Sequence, residues 1–342
     1  MTPNSINPGL VLLFGSGETA PAGREAHNLA LRQLNAPPRV AVLETPAGFQ
    51  PNSAWVAGRL AEFVQHSLQN HHPQVTVLPL RRREQADDPT LAAPLLEANY
   101  VFAGPGSPTY TAQHLRDTWA WQVIQARQRR GAALAFASAA AIALSAHVLP
   151  VYEIYKVGTA LHWQPGLDFF RPYGLDLAVV THWDNQEGGE NLDTRRAFMG
   201  LERMARLLDM LPPSTTVLGI DEHTAVLLDL LGGTAQVVGR GSATVCRAGA
   251  ERVFASGATF ALDELGTVRI PPLDEGLPAS VVEAVLAAGQ EALPSQVAAL
   301  IEQREAARRA RDWPRADALR NEIARLGYMI EDTPAGPRCK KL

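Results

Sequence analysis

The chain has 342 residues, of which 46% are hydrophobic and 19% are charged, a composition typical of a globular protein with a sizeable core. Its length predicts one large domain and a smaller one. A net charge of −4 excludes a general attraction to nucleic acid or membranes. Two cysteines exclude a disulfide framework and a four-cysteine zinc site. No apolar run reaches the roughly 18 residues of a membrane span, and no signal-peptide pattern is evident, so we expect a cytoplasmic protein.

Short apolar runs alternate with helical patterns through the first half of the chain. The runs are Leu10–Phe14, Arg39–Leu43, Val75–Leu80, Tyr100–Ala103 and Ala132–Ala137, and the helical patterns are Glu25–Leu34, Ala54–Gln69 and Thr109–Arg130. Continuous apolar runs are typical of parallel strands that are covered on both faces. The alternation therefore predicts an α/β, doubly wound domain with a mostly parallel sheet, whose ligands bind at the carboxyl ends of the strands.

The second half of the chain is predicted to complete this sheet. A strand at Leu177–Thr181 ends at His182, and a helix fits Thr194–Leu211 with Asp193 as its N-cap. Shorter runs then predict an antiparallel edge; they are Val217–Ile220, Ala225–Leu230, Gln236–Val238, Thr244–Cys246, Val253–Ala255 and Thr259–Leu262. Prolines near residue 271 mark a boundary. We expect one domain at 1–270, a linker and helix at 271–293, and a small helical hairpin module at 294–342.

A serine stands where the apolar run at Ala132–Ala137 meets a helical pattern, in AFASAAA. A sharp strand-to-helix turn would expose the Ser138 hydroxyl and offer the N–H of Ala139 to an oxyanion. Small neighbours make such a turn sterically feasible. The alternative is an ordinary N-cap serine at an alanine-rich helix.

Other strand ends carry the groups that a nucleophilic serine requires. His182 follows a predicted strand and is the candidate general base. Glu153, 15 residues after Ser138, is a candidate to orient the imidazole. The segment AGPGSPTY offers the N–H of Gly104 or Gly106 as a second oxyanion donor. Together these residues predict a Ser-His-Glu arrangement.

The order of these features, followed by GIDEHTA at Gly219–Ala225, resembles the cyanophycinase and dipeptidase E family of serine peptidases. That family has the class I glutamine amidotransferase-like fold. The resemblance covers residues 8 to 265 approximately and implies Ser138 as nucleophile, His182 as base and, by spacing, Glu153 as the third member. It also implies small acidic or aspartate-linked peptides as substrates. The chemistry requires no metal and no organic cofactor.

The turn around Ser138, called the elbow below, has the pattern G-T-S-A-G-A in this family. Two positions depart from that pattern here, since Phe136 and Ala140 replace its glycines. An altered elbow could leave the site inactive. The alternative function is therefore a catalytically degenerate ligand-binding or regulatory protein, whose C-terminal module contacts tRNA or a protein partner.

Further polar residues are candidates for substrate binding. Asn185 and Glu187 belong to a polar segment after His182 and could bind an amino group; the alternative is a solvated loop. Lys156, beside Tyr152, could hold a substrate carboxylate, or could be an ordinary surface lysine. Glu222 follows a predicted strand and could line the same crevice. No metal-loop spacing is present among the acidic residues.

The C-terminal segment shows helical spacing at Val297–Arg311 and Ala316–Leu326, with a break at Asp312–Pro314. The strings at Ile301–Gly327 and Ile330–Arg338 resemble the C-terminus of cysteinyl-tRNA synthetase. The resemblance implies weak tRNA contact through residues 294–342, which carry 10 basic and 7 acidic residues. The alternative is an amphipathic hairpin that packs on the body or on a second subunit in a homodimer.

Overall fold

The computed structural model describes residues 6–288, 295–333 and 336–341. The strands are β1 (Val11–Phe14), β2 (Arg39–Leu43), β3 (Gln74–Leu78), β4 (Tyr100–Ala103), β5 (Ala133–Ala137), β6 (His147–Val148), β7 (Gln164–Pro165), β8 (Leu177–Val180), β9 (Thr216–Ile220), β10 (Thr224–Asp229), β11 (Thr234–Gly239), β12 (Ser242–Arg247), β13 (Ala250–Ala255), β14 (Thr259–Ala261), β15 (Tyr328–Thr333) and β16 (Gly336–Lys341). The helices are α1 (Pro21–Leu31), α2 (Ser53–Ser67), α3 (Arg83–Ala86), α4 (Pro108–Leu115), α5 (Trp119–Arg129), α6 (Ala139–Ala143), α7 (Gly200–Asp209), α8 (Ala279–Ala288), α9 (Ser295–Arg309) and α10 (Trp313–Arg325).

The main sheet has the order β14-β11-β10-β1-β5-β4-β2-β3. Strands β1, β5, β4, β2 and β3 run parallel, whereas β10, β11 and β14 add an antiparallel edge. Each central strand contributes side chains to a buried cluster on both faces, as Leu12 and Leu13 illustrate. This double burial explains the continuous apolar runs. The predicted α/β fold with a mostly parallel sheet is confirmed.

A second sheet has the strand order β13-β12-β9-β8. The late strands, which the sequence predicts as a single antiparallel edge, are therefore distributed over two sheets. Strands β8 and β9 are parallel, and Val180 pairs with Gly219. The expectation that all the late strands complete the main sheet is therefore wrong for β9, β12 and β13. The pairing of β8 with β9 places His182 and Glu222 after neighbouring strand ends.

Two predicted helices differ from the structure by more than a shift of a few residues at their ends. The segment Thr109–Arg130 forms two helices, because Asp117 has φ +60° and the hydroxyl of Thr118 caps α5 through the N–H of Trp121. The helix expected from Thr194 begins only at Gly200. Its N-cap is Met199 and not the expected Asp193, although the Asp193 carboxylate accepts from the N–H of Leu201 at 3.0 Å.

The chain divides into two compact units, Met1–Leu286 and Ala287–Leu342. In the second unit, α9 and α10 pack together around Leu300, Leu319 and Ile323. An antiparallel hairpin of β15 and β16 follows, which the helical prediction for this segment missed. The predicted module start at Pro294 and linker residues 289–293 lie outside the described residues. Within the described ranges, no helix is long and apolar enough to cross a membrane.

Candidate active site

Ser138 stands on a sharp turn between β5 and α6, with φ +52° and ψ −116°. A non-glycine residue in this region costs of order 1–3 kcal/mol. Its N–H donates to the carbonyl of Phe14 at 3.0 Å, and its carbonyl accepts from Ile142 at 3.1 Å. Bonds to the neighbouring strand and to the first turn of α6 therefore hold the strained residue in place.

The residues that replace the elbow glycines do not carry this strain. Neither Phe136 nor Ala140 has a positive φ. Phe136 lies in β5 with its side chain fully buried, and its ring packs edge-on against Trp121 at a centroid distance of 6.5 Å. Ala140 is fully buried in α6. The turn is consequently formed without glycine at either position.

His182 lies within hydrogen-bond distance of the elbow. Its Nε2 is 2.8 Å from Oγ of Ser138, and its Nδ1 is 2.9 Å from Oε1 of Glu222. Because a carboxylate can only accept, Nδ1 carries the proton in this arrangement and Nε2 is left to accept from the hydroxyl. A continuous hydrogen-bonded line thus runs from a strained serine to a carboxylate.

Glu222 is oriented by two other residues. Its Oε1 also accepts from Nδ2 of Asn185 at 2.8 Å, and its backbone N–H donates to Oδ1 of Asp184 at 2.7 Å. Hydrogen bonding from His182, assisted by Asn185, lowers the pKa of Glu222 against the opposing effect of burial. Asn185 is fully buried and holds this carboxylate. It does not fit the expected role of contacting substrate.

Glu153 does not contact His182, contrary to expectation. It lies in a π-helical turn, Glu153–Val157, and its Oε1 accepts from the hydroxyl of Thr109 at 2.5 Å. The turn directs the carboxylate toward the start of α4, whereas Glu222 occupies the position beside Nδ1. The spacing from Ser138 in the sequence cannot show which of these two carboxylates contacts the imidazole. The sequence signal that Glu222 offered was its place two residues after the predicted strand Val217–Ile220, since a strand-end position is also what singled out His182.

A left-handed turn forms one wall beside the imidazole. Arg196, Ala197 and Phe198 all have φ between +55° and +68°. The N–H of Ala197 donates to the carbonyl of His182 at 3.1 Å, and the ring of Phe198 lies 5.9 Å from the imidazole. Tyr155 extends the wall at 5.2 Å from Phe198. Neither aromatic residue was predicted from the sequence.

The expected oxyanion donors follow the carboxyl ends of two neighbouring parallel strands, β4 and β5. Ala139 is the first residue of α6, where an N–H has no intrahelical partner. Gly104 and Gly106 follow β4, which pairs with β5. A Cβ on Gly106 would lie 1.8 Å from the carbonyl oxygen of Pro46. Only glycine at position 106 allows the loop to approach Pro46 this closely.

Three of the residues that are expected to contact substrate have exposed side chains. Tyr152 is 40% exposed, Glu187 is exposed, and Lys156 has its ammonium 4.8 Å from the centre of the Tyr155 ring. Within the part of the chain that the structure describes, no hydrogen bond joins the side chains of these three residues to Ser138, His182 or Glu222. Their substrate roles stay predictions.

Glu18 ends the GSGE turn after β1 and is a buried carboxyl that sequence reasoning did not assign. Burial raises its pKa, although the nearby imidazoles of His182 and His223 oppose the shift. Gly17 has φ +69°, and a Cβ there would lie 2.4 Å from Nδ1 of His223. The expected tight turn therefore lies beside the site. Among the described residues, no group of three or more His, Cys, Asp or Glu could hold a metal ion.

The two units are similar to different proteins. Residues 290–336 match the family model described as "Cysteinyl-tRNA ligase anticodon binding domain". The cysteine–tRNA ligase of Chlamydia abortus is 55% identical over 49 residues, 14% of this chain and 10% of the ligase. That of Methanosarcina mazei is 48% identical over 54 residues, 16% of this chain and 11% of the ligase. The chain thus spans about a tenth of the length of these ligases. The predicted C-terminal resemblance is confirmed.

The first unit is similar to a solved structure, the crystal structure of a peptidase from an acI-B1 Actinobacterium. The match has a TM-score of 0.61 and 23% identity, and covers 76% of this chain and 100% of that chain. This likeness confirms the fold that the peptidase resemblance predicts.

Proposed function

We propose that this chain is a serine-nucleophile hydrolase, a peptidase or amidase, with Ser138 as nucleophile, His182 as general base and Glu222 as the third member. The main support for the proposal is a pair of contacts to the two imidazole nitrogens of His182. Oγ of Ser138 lies 2.8 Å from Nε2, and Oε1 of Glu222 lies 2.9 Å from Nδ1. Strain at Ser138 supports the proposal further, because a simple N-cap serine has no need of a positive φ. These features favour a hydrolase over the degenerate ligand-binding alternative.

The geometry supports a two-step acyl transfer. Oγ of Ser138 attacks the carbonyl carbon while its proton passes to Nε2 of His182. The resulting imidazolium is stabilised by the Glu222 carboxylate and returns the proton to the leaving amine. Water then hydrolyses the acyl-enzyme by the same route. The N–H of Ala139, with that of Gly104 or Gly106, receives the negative oxygen of each tetrahedral intermediate.

The proposed substrate is a small peptide or isopeptide. An aspartyl residue is the first to examine, because the family resemblance implies it and Lys156 supplies a cation near the sheet edge. Tyr152 and Glu187 are proposed to contact the substrate through their exposed side chains.

Intact-mass labelling with a small fluorophosphonate tests the hydrolase proposal. We expect one adduct on the wild type, mapped to Ser138, and none on Ser138→Ala. His182→Ala should label at least about 100-fold more slowly, because the serine then lacks its base. The control is Ser256→Ala, whose hydroxyl bonds to the Gly239 carbonyl and whose labelling should equal that of the wild type. Equal labelling of wild type and Ser138→Ala would contradict the proposal.

A second proposed function is tRNA contact through residues 294–342. The match to an anticodon-binding domain supports it, as does a set of exposed arginines on α9, α10 and their connection. These are Arg309, Arg311, Arg315, Arg320 and Arg325. Guanidinium groups on one helical pair are suited to phosphate oxygens. Packing of this module in a homodimer is the alternative use of the same surface.

Salt dependence of tRNA binding by the full chain separates these uses. If three of the arginines contact phosphates, the triple variant Arg309→Ala, Arg315→Ala, Arg320→Ala should bind more weakly. Its log–log salt slope should be smaller by about 2–3 units. The matched control replaces three exposed arginines of the first unit, Arg24, Arg59 and Arg195. Equal binding by both triple variants, or binding that does not change with salt, would contradict tRNA contact through this module.

A further inference from the structure

The imidazole of His182 is carried on a left-handed backbone. His182 has φ +51°, a conformation that is unfavourable for a residue with a side chain and persists only where the surrounding structure holds it. Backbone hydrogen bonds hold it from both sides. The N–H of the next residue, Trp183, donates to the carbonyl of Ile220 at 3.1 Å, and the carbonyl of His182 accepts from the N–H of Ala197 at 3.1 Å. The position of the base therefore depends on what fixes Trp183 and the left-handed turn that begins at Arg196.

Arg196 contacts Trp183 in three ways. Its N–H donates to the Trp183 carbonyl at 2.9 Å, and its Nη1 donates to the same carbonyl at 3.2 Å. The centre of its guanidinium lies 3.8 Å from the centre of the Trp183 ring. Trp183 is 2% exposed, and its ring also packs on Gly219 of β9, where a Cβ would lie 2.3 Å from the ring atom Cδ2. Trp183 is thus held by β9 and by Arg196 together.

The guanidinium of Arg196 lies outside the hydrogen-bonded line of the proposed catalytic residues. Burial lowers its pKa, and the nearby groups that oppose this shift lie on and beside the second sheet, at Glu251, Cys246 and Asp221. Within the described part of the chain, no hydrogen bond joins the Arg196 side chain to any of the three proposed catalytic side chains. An effect of Arg196 on the reaction must therefore pass through Trp183 and the turn.

Arginine is suited to this double contact for a geometric reason. A planar guanidinium can lie on the face of an indole ring while the N–H groups at its edge donate to a carbonyl. A lysine ammonium is a compact charge on a flexible stem, so it cannot make both contacts at once. The contacts to the Trp183 ring and to the Trp183 carbonyl therefore require arginine at position 196.

Resting on the proposed hydrolase function, we infer that Arg196 is a positioning residue for the general base. By holding Trp183 against β9, it fixes the left-handed backbone of His182 and keeps Nε2 at 2.8 Å from Oγ of Ser138. Proton transfer from the serine requires this geometry, and a displacement of about 1 Å can cost about 100-fold in rate. Loss of Arg196 should therefore slow the attack by Ser138 without weakening the binding of the compound that is attacked.

Fluorophosphonate labelling of the full chain separates these two effects, because its concentration dependence gives a rate at saturation and a half-saturating concentration. In Arg196→Ala the saturated rate should fall about 10- to 100-fold, while the half-saturating concentration should stay within about 2-fold of the wild type. Arg196→Lys, which retains the charge and the aliphatic stem, should lose about 3- to 10-fold. The control is Arg206→Ala, an exposed change on α7, which should label as the wild type does.

Added methylguanidinium distinguishes a positioning role from a general effect on folding. In Arg196→Ala this cation can lie on the Trp183 ring in place of the missing side chain, so it should raise the saturated labelling rate at least about 5-fold. Methylammonium carries the same charge without the planar group and should have little effect. Neither cation should change the labelling of the wild type or of Arg206→Ala.

The Nδ1 proton of His182, in the 2.9 Å contact to Oε1 of Glu222, gives a readout that does not depend on labelling. Its NMR resonance is identified by its loss in His182→Ala. In Arg196→Ala we expect this proton to exchange faster with water than in the wild type, because the imidazole is held less firmly, and methylguanidinium should slow the exchange again.

An unchanged saturated rate in Arg196→Ala would overturn the inference, and so would a loss that methylguanidinium restores no better than methylammonium. If thermal unfolding shows that Arg196→Ala does not fold, a wild-type rate in Arg196→Lys would overturn it instead. Absence of labelling in the wild type would be a failure of the hydrolase proposal. The exchange of the His182 proton would then still test the positioning role, which an unchanged exchange rate in Arg196→Ala would overturn.

Discussion

Oε1 of Glu222 lies 2.9 Å from Nδ1 of His182, across the ends of two neighbouring parallel strands. The relationship follows from the pairing of β8 with β9, which sets Val180 beside Gly219. Each strand ends two residues before its functional side chain. A carboxylate and an imidazole that are 40 residues apart in sequence thereby meet through backbone register.

Glu222→Gln should lower the rate of fluorophosphonate labelling and kcat by about 10²- to 10⁴-fold. The amide cannot stabilise the imidazolium, and it can donate to Nδ1 and so favour the wrong tautomer. Glu153→Gln is the matched control, since it makes the same chemical change at the other candidate carboxylate. Its labelling rate should equal that of the wild type. The opposite pattern between the two variants would restore Glu153 as the third member.

Asn185→Asp should move the acid limb of the kcat/KM profile to higher pH. The change removes a donor from Glu222 and sets a like charge 2.8 Å away, so the pKa of Glu222 should rise from its lowered position. The carboxylate would then be protonated at a higher pH than in the wild type. Asn191→Asp, an exposed change in the same loop, is the control and should leave the profile unchanged. An identical profile for both variants would show that Asn185 does not act through Glu222.

Gly106→Ala should reduce labelling and turnover by about 10-fold or more, because the new Cβ would lie 1.8 Å from the Pro46 carbonyl and the loop must move. Gly58→Ala is the control. Gly58 lies within α2 with no atom within 4 Å of a Cβ, and alanine there should stabilise the fold by about 0.5–1 kcal/mol. Activity assays and thermal unfolding distinguish the two effects. Wild-type turnover in Gly106→Ala would argue against an oxyanion role for this loop.

His27 should make unfolding sensitive to pH below neutrality. Its ring is fully buried, bonds to Tyr100 and to the Glu18 carbonyl, and stacks on Phe14. Burial lowers its pKa from 6.5 to about 4. Between pH 6.5 and pH 4 the unfolded state therefore binds a proton that the folded state does not. The free energy of unfolding should fall through this window by up to about 3 kcal/mol.

Denaturant unfolding of His27→Gln across the same pH window measures this contribution. The variant should be less stable at pH 7, by about 1–3 kcal/mol, because buried partners lose their hydrogen bonds. Its stability should also fall less steeply between pH 6.5 and pH 4. His66→Gln, an exposed change on α2, should retain the wild-type slope. A wild-type slope in His27→Gln would mean that other groups cause the pH dependence.

Several elements could be predicted because their signals are local. The strands Arg39–Leu43 and Tyr100–Ala103 have the predicted bounds, since a strand buried on both faces requires a continuous apolar run. The break within Thr109–Arg130 was missed, because it depends on a left-handed Asp117 that no periodicity reveals. Likewise the start of α7 depends on three consecutive left-handed residues, of which Arg196 and Ala197 donate to the carbonyls of Trp183 and His182 just after β8.

The sequence by itself determined the α/β fold, the position of Ser138 between a strand and a helix and the strand-end position of His182, because apolar runs and small residues act over a few neighbours. The left-handed conformation of Ser138, which separates a sharp turn from an ordinary N-cap, appears only in the structure. Only the tertiary structure decided which carboxylate meets the imidazole. Both candidates, Glu153 and Glu222, are glutamates, and neither is excluded as the partner of the imidazole by its distance from His182 in sequence. The pairing of β8 with β9 brings Glu222 to Nδ1, whereas the π-helical turn directs Glu153 to Thr109. Hydrogen bonding and burial together set the register between distant strands. This register therefore cannot be predicted from any short stretch of residues.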